Sequence, residues 1–166
     1  PQGECAMSKT HSGPSMSFLC DQNLGRLTRW LRMMGFDAEY MRAWSEEKIA
    51  AARAAGRILL TRRRDFAMKE GSIVLESDFL KDQLRYLDKR LNLKENLRPY
   101  SRCIVCNVSL KYVKAQDVKN LVPEYVSATR ETFARCPKCS RIYWKGTHTN
   151  RANETMRSLF SVRVNV

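Results

Sequence analysis

Two cysteine pairs, Cys103 with Cys106 in "CIVC" and Cys136 with Cys139 in "CPKC", constrain this chain more than any other feature. Each pair spans a two-residue spacer, the reach of one tight turn, and 29 residues separate Cys106 from Cys136. Two such turns supply the four soft ligands of a tetrahedral zinc site, with no coordination position left open for chemistry. A pair of disulfides is the competing reading. No apolar run of signal-peptide length is present, and Cys5 and Cys20 lack evident partners, so structural zinc is the expectation. His148 lies nine residues past Cys139, outside the knuckle spacing, and is read as a surface or phosphate-facing side chain. His11 carries no reading.

Ahead of the cysteines, short apolar runs alternate with helical periodicity. "SFLCD" reads as a strand, and "NLGRLTRWLRMMG" places Leu24, Leu27, Leu31 and Met34 on one helical face, with Gly35 as the residue that ends it. "DAEYM" is a second strand, and Ser45 caps a helix over "EEKIAAARAA" that stops at Gly56. "RILLT" and "SIVLES" are further strands, and "DFLKDQLRYLDKRLN" a helix with Leu80, Leu84, Leu87 and Leu91 on one side. This alternation predicts an α/β fold, a parallel or mixed sheet flanked by helices, followed by a small four-cysteine zinc ribbon. The expected layout is a basic or polar tail (1–16), an α/β domain (17–92), a linker (93–101), the ribbon (102–148) and a C-terminal extension (149–166) containing one short helix.

Thirty Lys and Arg against 17 Asp and Glu give a formal charge of +13, which favours a polyanionic partner. No run approaches the roughly 20 apolar residues that span a bilayer, so nucleic acid is expected rather than membrane. Arg26, Arg29 and Arg32 lie opposite the leucine face of the first helix, and Arg62, Arg63 and Arg64 form a loop after the third strand. A helical arginine stripe is more often a solvated face; the global charge shifts these six toward binding RNA. Trp30, Trp44, Tyr143 and Trp144 are expected to pack rather than to stack bases, and Met33, Met34 and Met41 to fill gaps in the core.

The stretches "FLCDQNLGRLTRWLRMMGFDAEY" and "GRILLTR", followed by both cysteine pairs and "RIYWKGTH", resemble the family named for the C-terminal RNase domain of the Mut-seven protein. The resemblance implies a PIN-like nuclease fold with a zinc ribbon, an RNA-directed role and, in active members, cleavage by acidic residues holding a divalent metal. Carried over by position, Asp21 ends the first strand and Glu46 stands near the second acid. The third acid position, after the "TR" of "LLTR", is Arg63. Carboxylates are what bind Mg²⁺ or Mn²⁺, and an arginine there removes a ligand and adds a repelling charge. Asp65, two residues on, is the remaining candidate.

Two readings stand. One is an RNA-binding structural or assembly protein with a degenerate nuclease site, expected in a ribonucleoprotein particle such as an organellar ribosome, with structured or ribosomal RNA and neighbouring proteins as partners. A mitochondrial matrix location goes with it. The other is an active Mg²⁺- or Mn²⁺-dependent ribonuclease using Asp21, Glu46 and Asp65.

Overall fold

A computed structural model describes residues 16–160; the N-terminal tail with Cys5 and His11, residues 161–166 and the side chains of Thr147 and His148 lie outside the described residues. Four short strands, β1 (Ser17–Cys20), β2 (Asp37–Tyr40), β3 (Ile58–Thr61) and β4 (Ser72–Val74), form an all-parallel sheet in the order β2-β1-β3-β4. Parallel neighbours need crossovers, supplied between the first three by α1 (Gly25–Met33) and α2 (Glu46–Ala54); β3 reaches β4 through a 3-10 turn at Arg64–Phe66.

Because β1 and β3 lie inside the sheet, their residues are buried on both faces and read as continuous apolar runs. Phe18, Cys20 and Leu60 face one side, under Leu24, Leu27, Leu31 and Met34 of α1 and Leu84 and Leu87 of α3 (Leu80–Leu91). Leu19 and Leu59 face the other, against Met41, Ile49 and Ala52 near α2, with Phe66 from the turn. Helix ends follow the sequence reading: the Ser45 hydroxyl accepts from the Lys48 N–H at 3.2 Å, and Gly35 takes φ +97° after α1. Gly35 has a second reason to lack a side chain, since a Cβ there would come within 2.3 Å of the Arg98 carbonyl oxygen. The segment after α3 runs across that spot, its Arg98 and Tyr100 N–H groups donating to Met34 and Met33 carbonyls at the end of α1.

The cysteine-bearing part is a three-stranded antiparallel sheet, β5 (Lys111–Val113), β6 (Phe133–Arg135) and β7 (Ile142–Trp144), in that order. Two short helices, α4 (Ala115–Val118) and α5 (Glu124–Thr129), cover one face, where Val118 and Val126 pack on Phe133 with Val113, Ile142 and Trp144 around them. The chain then returns to the first core. In place of one short terminal helix, α6 (Thr147–Phe160) runs 14 residues and sets Ala152, Met156 and Phe160 into the cluster under α1 and α3. Their spacing of four residues makes the apolar stripe that the core takes up.

Candidate functional site

The two cysteine pairs form matched knuckles. In the first, the Cys106 N–H points at Cys103 Sγ (3.3 Å), Asn107 N–H donates to the Cys103 carbonyl (2.9 Å) and Cys103 N–H to that of Val108 (2.8 Å). In the second, Cys139, Ser140, Cys136 and Arg141 repeat the same three bonds at 3.4, 3.0 and 2.9 Å. Asn107 and Ser140, each just past the second cysteine, both turn left-handed, at φ 59° and 60°. The result brings all four sulfur atoms within 4.8 Å of one another, a group that can hold one metal ion. Cys103 and Cys136 are buried, and the Tyr143 hydroxyl lies 3.1 Å from Cys103 Sγ. Burial opposes ionisation of Cys103, but hydrogen bonds from Tyr143 and from the Cys106 and Val105 N–H groups pull its thiol down to about 6. Cys106, hydrogen-bonded to Cys139 and facing Cys103, is pushed up to about 12.

Asp21 ends β1 and is buried at 1% exposure. Its Oδ2 accepts from the Thr61 hydroxyl (2.6 Å) and the Arg62 N–H (3.0 Å), and its Oδ1 from the Asn23 N–H (2.9 Å). These bonds tie the ends of β1 and β3 together. Glu46 is exposed and accepts from the Trp44 indole at 2.7 Å. Asp65 is exposed and pairs with Arg63 through two bonds, Nε to Oδ1 at 3.1 Å and a terminal nitrogen to Oδ2 at 2.8 Å. That guanidinium lies 4.1 Å from the Trp44 ring centroid, a cation–π contact, and its bonds hold the Asp65 carboxyl below the usual carboxylate range. Among the described residues, the four cysteines are the only group of three or more Cys, His, Asp or Glu side chains close enough to share an ion. Asp21, Glu46 and Asp65 are not brought together in that sense.

The six arginines fall into different settings. Arg26 and Arg29 are exposed on α1, beside a groove of about 420 Å³ formed with Tyr40 and the first knuckle's Ile104 and Val105. Arg32, at the same groove, is half-buried and donates to the carbonyls of Ala38 (2.8 Å), Ile104 (3.1 Å) and Val105 (2.9 Å), so it clasps the knuckle to the parallel sheet. In the loop after β3, Arg62 pairs with Asp78 and donates to the Glu76 carbonyl (3.1 Å), Arg63 is held as above, and Arg64 is exposed.

Sequence reasoning missed the polar seam beside Arg32. The Asn107 side chain accepts from the Ala38 N–H (3.0 Å) of edge strand β2 and donates to Asp37 (2.6 Å), which in turn pairs with Arg57 at 2.9 Å. Burial opposes the Asp37 charge, but the Arg57 and Asn107 bonds hold its carboxyl below its usual range. Nothing local marks these residues, because the partners lie 69 and 70 positions apart.

A parallel sheet flanked by helices, an acid at the end of one of its inner strands and an appended four-cysteine metal-binding group define an α/β protein with a metal-binding module. The Mut7-C RNAse domain model matches residues 16–156, and the chain belongs to that family. No curated protein and no solved structure matches it. Family membership gives the chain a nuclease-like, RNA-related role.

Proposed function

We propose that this chain binds RNA as a structural or assembly protein, on a nuclease scaffold whose divalent-metal site has degenerated. The observation that carries this is Arg63. It stands where the family resemblance implies a third acid, and it binds Asp65 with two hydrogen bonds and stacks on Trp44. Its cation stands where a hard metal would need carboxylate oxygens, and the one acid that could replace the missing ligand is already neutralised. Asp21 remains, with its Thr61 and backbone bonds giving it a structural task at the C-terminal ends of the two inner strands. Arg26, Arg29 and Arg64 are the exposed cations offered to phosphates. A ribonucleoprotein particle with structured RNA, such as a mitochondrial ribosome or its precursor, fits such a binder.

The four thiolates would hold Zn²⁺. Sulfurs placed about 2.3 Å from a tetrahedral centre stand about 3.8 Å apart, and Cys103 and Cys139 sulfurs are 3.8 Å apart. A disulfide needs about 2.05 Å. With every position taken by sulfur, the ion would order the two knuckles and do no chemistry.

The test compares wild type, Arg63→Asp and Asp21→Asn on single-stranded and structured RNA with Mn²⁺. The expected outcome is no metal-dependent cleavage by wild type and tighter Mn²⁺ binding by Arg63→Asp. Wild-type cleavage abolished by Asp21→Asn would install a working ribonuclease instead.

A further inference from the structure

We infer that the open face of the ribbon sheet is a stacking platform for the bases of single-stranded RNA, with Tyr112 as its exposed ring. The inference rests on the RNA-binding reading above and assigns part of it to a surface that the nuclease-like site does not use.

Strand register defines the face. Tyr112 on β5 lies opposite Ala134 on β6, which lies opposite Tyr143 on β7. Residues paired directly across antiparallel strands project to the same side, so these three form one row. The adjacent row, Val113, Phe133 and Trp144, is the one packed against Val118 and Val126. Tyr112 therefore projects away from the helices that cover the sheet. It is 84% exposed, and its hydroxyl has no hydrogen-bond partner among the described residues. At the other end of the row Tyr143 is anchored by Cys103. Between them Ala134 leaves a low floor about 10 Å wide, two strand spacings.

A single exposed tyrosine is ordinary on a protein surface. Its charged surroundings are what select a partner. Lys114, with extended backbone (φ −74°, ψ 152°), continues the Tyr112 side of β5, and Arg141 and Lys145 flank Tyr143 at two-residue spacing; all three are exposed. Between residues 102 and 148 there are nine lysines and arginines and three acids, Asp117, Glu124 and Glu131. All three acids belong to the insertion between β5 and β6, whose helices cover the opposite face. An aromatic ring among cations, with few apolar neighbours, suits a polyanion that carries flat π faces. Single-stranded RNA offers unstacked bases to such a ring, whereas duplex bases are already stacked on one another.

Full-length protein is titrated with a labelled oligouridine and with a duplex RNA of equal length. The proteins compared are wild type, Tyr112→Ala, Tyr112→Phe and the double variant Arg26→Ala/Arg29→Ala. Loss of one stacked base should weaken oligouridine binding by about 5- to 150-fold in Tyr112→Ala. Tyr112→Phe should stay within about twofold of wild type, and duplex affinity should not change in either. The arginine variant should weaken both RNAs. Metal content and thermal unfolding, unchanged because Tyr112 is exposed, certify that each variant is folded. Wild-type binding with no loss in Tyr112→Ala overturns the platform and leaves the RNA-binding reading in place. No wild-type binding to either RNA overturns both. A change of sedimentation in Tyr112→Ala without a change in RNA affinity overturns the platform in favour of a protein contact.

Discussion

Asn107 does two jobs with one residue. Its backbone supplies the left-handed turn of the first knuckle, and its side chain bridges that knuckle to Ala38 and Asp37 on the edge strand. Glycine preserves the first job and deletes the second, since it takes positive φ without strain. Asn107→Gly should therefore keep its metal and lose about 1 kcal/mol of stability: two hydrogen bonds at about 1 kcal/mol each, partly offset by the relaxed turn. Hydrogen exchange at the Ala38 amide, faster in the variant, checks that the loss is at the seam; unchanged exchange there would show that the bridge contributes nothing. Asp37 adds a pH dependence. Its folded carboxyl titrates below the ordinary value of 3.8, so the stabilisation is complete above that value and is lost as pH falls through the lowered one. Acid should loosen the seam in wild type, while Asp37→Asn should already be loose at neutral pH and insensitive to that acid step.

At the scale of elements, the ribbon has a core of three buried residues, Val118, Val126 and Phe133. So small a core needs a further staple, and the metal-binding cysteines are placed to be that staple. Cys103→Ser, or a strong chelator, should strip one metal ion per chain, and amide protection should vanish through β5, β6 and β7. The parallel sheet should keep its protection except at Ala38, whose partner sits on the first knuckle. Protection that survives complete metal removal would mean that the small core suffices. The knuckle spacing was legible in the sequence because one turn sets it locally. So were α1, the Ser45 cap and the leucine face of α3, where a single period or capping rule decides. Arg32 was not. Its place in a helical arginine stripe predicts a phosphate contact, but its geometry is set by carbonyls 72 and 73 residues away. The length and docking of α6 were illegible for the same reason: a stripe of Ala152, Met156 and Phe160 specifies an apolar surface but not which core receives it.

Across the whole molecule, a charge of +13 is not spread evenly among groups free to meet phosphate. The arginine-rich loop looks like the strongest anion grip in the sequence, yet Arg62 is paired with Asp78 and Arg63 with Asp65. Each pair weakens the field that would draw a phosphate and occupies part of its arginine's donor fork. Arg26 and Arg29 carry no such partner among the described residues and flank an open groove. Counterion release ranks the two surfaces by experiment, since every phosphate contact contributes about 0.7 to the slope of log affinity against log salt on single-stranded RNA. Neutralising Arg26 and Arg29 together should reduce that slope by about 1.4. Neutralising Arg62, Arg63 and Arg64 together should reduce it by about 0.7, because only Arg64 is unpaired and exposed. The measurement is affinity for one oligonucleotide across a salt series, repeated with a second sequence to show that both effects are independent of bases. A larger drop for the loop triple than for the helix pair would mean that RNA opens the Arg62 and Arg63 pairs on binding, and would return the phosphate grip to the end of β3.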